Sequence, residues 1–223
     1  MRRGATAGHA PAGVNTSARI RRPGGSRFIS PMVITIATDR RTPLLADVAV
    51  RLAEAMALTV VPDASPREIG LVLPRILRAR VRTDVDVVAL PERAVAAEVA
   101  AALRAITARH RVTVVAWGGM PTEQALAICD ASDRVLVLSQ CSVSSLRGAQ
   151  RLLKLCASLG YGMEKVAVVL HGFSDDAPVA PTDAANALKR EIVGVIPDSA
   201  AGESGRARAF EGLAQRLAGR VQS

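Results

Sequence analysis

From residue 32 onward, short apolar, β-branched runs alternate with longer stretches in which apolar residues recur every three or four positions. The short runs predict strands at 32–37 (MVITIA), 58–61 (LTVV), 85–90 (VDVVAL), 111–117 (RVTVVAW), 134–140 (RVLVLSQ), 165–171 (KVAVVLH) and 192–196 (IVGVI). The longer stretches predict helices over 43–56, 66–80, 92–109, 121–130, 143–159 and 182–190. A last amphipathic stretch from about 205 to 221 places Phe210, Leu213, Leu217 and Val221 on one face. Strands that are apolar at nearly every position are buried on both faces. Alternating with helices, they predict an α/β fold, a doubly wound, mostly parallel sheet of about seven strands flanked by helices. Ligands of such sheets bind at the carboxyl ends of the strands.

Punctuation residues support these boundaries. Pro43 and Pro91 stand in the first turn of their helices, where a missing N–H costs nothing. Thr122 or Pro121 opens the helix after the Gly118-Gly119 pair, and Gly160 closes the long helix before it. The sequence shows no internal repeat and no second domain, so residues 32–223 read as one domain.

Composition changes this picture little. Apolar residues make up 49% of the 223-residue chain and aromatics only 2%, so Ala, Val and Leu must fill the core. No apolar run reaches the ~18–20 residues that span a bilayer. Cys129, Cys141 and Cys156 are an odd number at no metal-ligand spacing, which fits small core thiols in a reducing, cytoplasmic setting. Charge is unevenly placed. The net charge is +9, and residues 1–31 supply six arginines and no acid. That segment is rich in Gly, Ala, Pro and Ser and has no apolar signal region, so it reads as a disordered basic tail. Its charge allows weak attraction to nucleic acid or anionic lipid, without the aromatics that a nucleic-acid surface usually interleaves.

Residues 34–56, ITIATDRRTPLLADVAVRLAEAM, read as strand, short polar loop and helix. Many proteins hold a phosphate on that framework, but their loops are glycine-rich and carry a lysine. This loop has neither. The chain's only lysines are Lys154, Lys165 and Lys189.

Three stretches together resemble the ParA/MinD superfamily of P-loop ATPases, and within it the CpaE/TadZ branch that works in Flp (Tad) pilus assembly. One is ICDASDRVLVLSQCSVSSLRGAQRLLKLCASLGYGMEKVAVVLHGFS (128–174), with IVGVIPDS downstream. The second is VVPDASPREIG (60–70), similar to the family's second strand and the acidic turn at its end. The third is LLADVAVRLAEAM, similar to the helix after the phosphate loop. The resemblance covers roughly residues 32–198 and lacks the receiver-like domain that often precedes it.

The resemblance implies a nucleotide site built on particular positions. Arg41 falls on the phosphate-binding lysine and Thr42 on the Mg²⁺-binding hydroxyl; both also fit an ordinary turn with Thr42 as cap. Asp63 stands where the family prepares the attacking water, or is simply a turn residue, and Ser65 replaces a second acid. His171 takes the place of a base-contacting asparagine, or is a plain strand-end residue. Near Ala116 the expected Mg²⁺-linked aspartate is missing, and Trp117 beside it either fills vacated space or marks a contact surface. Asp39 puts a negative charge where phosphates would sit.

Phosphoryl transfer is almost wholly positioning and electrostatics, so these joint losses imply a non-catalytic pseudo-ATPase. Catalytic and metal-ligating residues are then none, and ATP with Mg²⁺ is a weakened expectation. The implied role is a positioning or scaffold factor in a pilus or secretion machine, cytoplasmic or peripheral to the inner membrane. Its partners would be proteins of that machine, a second copy, or an intact paralogue. An active MinD/ParA-type ATPase and a DNA-partitioning or division-site factor stand as alternatives.

Overall fold

A computed structural model of the chain describes residues 31–40, 42–60, 68–74, 85–90, 94–119 and 122–219. Seven parallel strands form one sheet: β1 (Met32–Thr38), β2 (Ile69–Pro74), β3 (Asp86–Leu90), β4 (Val112–Gly118), β5 (Arg134–Gln140), β6 (Val166–Phe173) and β7 (Ile192–Pro197). Their order across the sheet is β3-β2-β4-β1-β5-β6-β7. Among the described residues, five α-helices lie between strands, α1 (Pro43–Val60), α2 (Ala96–Thr107), α3 (Glu123–Asp130), α4 (Val143–Ser158) and α5 (Pro181–Leu188), and α6 (Gly202–Gly219) follows β7. The predicted doubly wound α/β architecture is present, and every described strand pair is parallel.

The period of two along each strand sorts side chains into two layers. Ile34 and Ile36, Leu71 and Leu73, Val112 and Val114, and Leu136 and Leu138 pack with α1 and α6 in one core. On the other face, Val135, Val137 and Val168 pack with α4 and α5, while Val33, Val72, Val115 and Trp117 pack with α2 and α3. Both faces are thus covered, which is why β1 and β4 are buried along their whole length.

Two sequence predictions are corrected. Residues 58–60 are the last turn of α1 rather than the start of a strand. The β-branched run misleads because Leu45, Leu52, Ala53 and Met56 anchor the preceding turns in the core, and that packing outweighs a weak local preference. The helix predicted over 66–80 contains β2 instead. There Ile69, Leu71 and Leu73 face α1 and α6 while Val72 faces the opposite core, a period of two that a longer helical window hides. Residue 61 and the flanks 66–67 and 75–80 lie outside the described residues, as do the tail over 1–30, Pro91 and Pro121.

Other boundaries follow local chemistry. Pro43 is the first residue of α1. The Thr122 hydroxyl caps α3 by accepting from Ala125 N at 3.2 Å. Gly160, at φ +79°, ends the long helix α4, with Tyr161 N donating to Cys156 O at 3.0 Å.

The stretch DASD knits α3 to β1 and β6. Ser132 Oγ donates to Ile128 O and shares a hydrogen bond with buried Thr35 Oγ1, each at 2.7 Å. Asp133 accepts the Val33 N–H at 2.7 Å, and Asp130 accepts the Tyr161 hydroxyl at 2.5 Å. Lys165 Nζ reaches the Asp130 carbonyl at 3.3 Å. The separate parts of the 128–174 stretch therefore touch one another in space.

Candidate functional site

In a doubly wound sheet the natural ligand crevice lies where neighbouring strands send their connections to opposite sides. Here β1 sits between β4 and β5, and its carboxyl end opens onto a cleft of about 220 Å³. Thr38, Asp39, Arg40, Thr42 and Leu44 form one wall, and Leu138, Ser139, Gln140, Ser144 and Ser145 the other. The cleft is smaller than the roughly 300–1,000 Å³ of usual small-molecule sites.

The β1–α1 connection spans residues 39–42, and its described residues lie close against the end of β4. Gly119 N donates to Thr38 O at 3.2 Å, and Thr38 Oγ1 donates to the Arg40 carbonyl at 2.5 Å. A Cβ on Gly118 would come within 2.9 Å of that carbonyl and 3.0 Å of Thr38 Oγ1. Only a glycine at the end of β4 lets the loop settle this far. The Asp39 carboxylate lies 3.3 Å from Arg151 Nη2 on α4 and 3.9 Å from Arg40 Nε.

The opposite wall is a chain of hydroxyls engaged with each other. Ser139 Oγ donates to Ser145 Oγ at 3.0 Å, and Ser145 Oγ accepts the Gln140 N–H at 2.8 Å. Ser142 caps α4. These groups are spent on the β5–α4 turn itself.

Of the predicted site residues, Thr42 and His171 are among the described residues. Thr42 lines the cleft, and its carbonyl accepts the Leu45 N–H at 3.1 Å. Arg41 and Asp63 lie outside the described residues. In sequence, Asp63 falls between α1, which runs through Val60, and β2, which begins at Ile69. Ala116 and Trp117 sit in β4 opposite Ile36 and Ala37, with Trp117 packed in the α2–α3 core.

His171 does not line the cleft. Alternation along β6 puts it on the α1–α6 side, with Ala167 and Val169. It is buried, and neither ring nitrogen has a hydrogen-bond partner. Burial, then the nearby Arg206 and Arg51 cations against the pull of Asp47, push its pKa down to about 4. It is a neutral imidazole at ordinary pH.

Sequence reasoning singled out Asp39 but missed Gly118 as the floor of the loop, Ser145 as a wall group, and Arg151 as the partner of Asp39. The glycine pair after β4 was the available signal for the first. Nothing in the local sequence marks Arg151, which lies 112 residues from the carboxylate it meets.

The cysteines offer no nucleophile. All three are free, and burial first, then the adjacent Cys156, pushes the Cys129 thiol up to about 12. Among the described residues no group of three or more His, Cys, Asp or Glu side chains could hold a metal ion. No helix among them is long and apolar enough to cross a membrane.

The sequence matches no protein-family model. No curated protein matches it either. The fold is similar to a chain of the MinC:MinD cell division protein complex of Aquifex aeolicus, with a TM-score of 0.68 and 14% identity over 84% of this chain and 96% of that one. It is also similar to the septum site-determining protein MinD complexed with Mg-ADP from Pyrococcus horikoshii, at 0.65 and 11% over 84% and 96%. A ParA family ATPase from Chlorobium tepidum matches at 0.64 and 12% over 86% and 96%. The chain therefore has a MinD/ParA-like fold.

Proposed function

We propose that this chain is a non-catalytic member of the MinD/ParA-type proteins, of the CpaE/TadZ kind, acting as a positioning or scaffold factor in Flp/Tad pilus assembly or related secretion. The observation that carries the non-catalytic part is the β1–α1 connection. Its Arg40 carbonyl lies close on Gly118, and it carries the Asp39 carboxylate, rather than glycines with free N–H groups, on the wall of the cleft. The 128–174 stretch supports the pilus assignment. A chain that has given up nucleotide chemistry while keeping the fold acts through surfaces, and a protein partner or a second copy is part of the reading. The Aquifex aeolicus structure is itself a MinC:MinD complex.

The test is calorimetric titration of the whole chain with ATP and Mg²⁺. The expected outcome is no binding up to millimolar ATP and no hydrolysis. Micromolar binding that Arg41→Ala removes would make the protein a nucleotide switch. Hydrolysis lost in Asp63→Ala would make it an active ATPase. Salt-sensitive DNA binding that disappears when residues 1–31 are deleted would favour a partitioning role instead.

A further inference from the structure

We propose that Asp39 is an internal ligand, whose carboxylate docks in a cradle formed on α4 by Gly148 and Arg151 and so latches the β1–α1 connection down over the cleft. This rests on the reading of the cleft as closed to nucleotide and names the device that closes it.

Strand alternation aims the group. Val33, Thr35 and Ala37 project away from α1, and the next residue in that phase is Asp39. It therefore leaves β1 on the α4 side. The surface it meets is shaped to receive it. A Cβ on Gly148 would lie 2.1 Å from Asp39 Oδ2 and 2.4 Å from its Cγ, so any side chain at 148 would occupy the space of the carboxylate. Gly148 is buried in the interior of α4, where glycine is a poor helix former. Close approach of Asp39 accounts for it. Arg151 follows three positions later on the same helix face and brings Nη2 to 3.3 Å of Oδ2.

The carboxylate is the enclosed member of this pair, its side chain 23% exposed against 68% for Arg151. An ion pair that open to water contributes little by itself. The seat on Gly148 therefore defines the latch and Arg151 completes it. The connection is then held from two sides, by Gly118 beneath it on β4 and Gly148 beside it on α4.

Amide hydrogen exchange tests the latch without any nucleotide. Leu45 N, bonded to Thr42 O, and Gly119 N, bonded to Thr38 O, report on the connection. Asp39→Ala and Gly148→Ala are each expected to speed exchange at these two amides by about fivefold or more. In Gly148→Ala the α4 amides should hold or slow, because alanine is the better helix former. Opposite changes in the loop and helix of one variant separate eviction of Asp39 from general destabilisation. Arg151→Ala, a surface change that cannot unfold the chain, should give a smaller increase at the same amides. Unchanged exchange at Leu45 and Gly119 in both Asp39→Ala and Gly148→Ala overturns the latch, as does a uniform increase across the β1–β4 ladder. Failure of the closed-cleft reading appears separately, as ATP binding by the unaltered chain.

Discussion

Asp47 on α1 and Arg206 on α6 meet at 2.7 Å across 159 residues of sequence. Asp47 also accepts Arg51 Nε at 2.9 Å, and Arg51 pairs in turn with Glu203 at the start of α6. These four side chains tie the last helix to the first on the face opposite α4. Removing Asp47 leaves the Arg206 guanidinium, only 14% exposed, without its carboxylate, while Arg51 keeps Glu203. The Arg206 guanidinium stays desolvated when its partner is removed, but Asp47 itself is 42% exposed, so the pair is only half enclosed. Asp47→Ala should lower stability by about 1 kcal/mol in urea denaturation. The complementary Arg206→Met should cost less, since no buried charge is stranded.

His171 gives stability a pH dependence of defined sign. Its pKa in the fold is about 4, below the 6.5 of an ordinary histidine, so the unfolded chain takes up its proton first. The contribution is complete above about pH 6.5 and is lost progressively as pH falls toward 4. The loss is on the order of 3 kcal/mol from this residue. Urea midpoints measured across that window should fall with acid, and His171→Phe should flatten the profile. A profile equally steep in the variant would assign the acid sensitivity elsewhere.

Gly118→Ala should lift the β1–α1 connection. Its Cβ meets the Arg40 carbonyl, Leu45 Cδ2 and Thr38 Oγ1 at 2.9–3.0 Å, and the nearest of them is a backbone atom. Overpacking of this kind costs about 1–3 kcal/mol. Thermal melts should show the loss. A crystal structure of the variant should show the loop displaced and the cleft enlarged, with the sheet register intact.

The Thr35–Ser132 pair is the sharpest test of buried polarity. Ser132→Ala strands the Thr35 hydroxyl in a site with no exposure and should cost about 1–3 kcal/mol. Thr35→Val leaves Ser132 donating to Ile128 O and should cost less. The double variant should be more stable than the two single losses added together, because both members of the pair are then gone.

What the sequence determined by itself is the architecture and the lack of glycine and lysine in the β1–α1 connection. Strand and helix periods are local, so a window of ten residues carries them, and six of seven strands fall near their predicted places. The absence of glycines and lysine before α1 is likewise a matter of reading residues in order. The second strand failed for a physical reason. Ile69, Leu71 and Leu73 alternate over too short a span to outweigh the helical spacing of their surroundings, and only pairing with β3 and β4 selects the extended form.

The tertiary structure decided what the loop does with its charge. Asp39 is one residue beyond β1, and its meaning depends on Gly148 and Arg151, more than a hundred positions away. Likewise Asp47 finds Arg206, and His171 loses its proton, only because α6 returns to lie along α1. Such meetings are set by strand order and crossover, and no local period encodes them. The sequence names the groups, and packing determines which of them share a low-dielectric space and therefore matter.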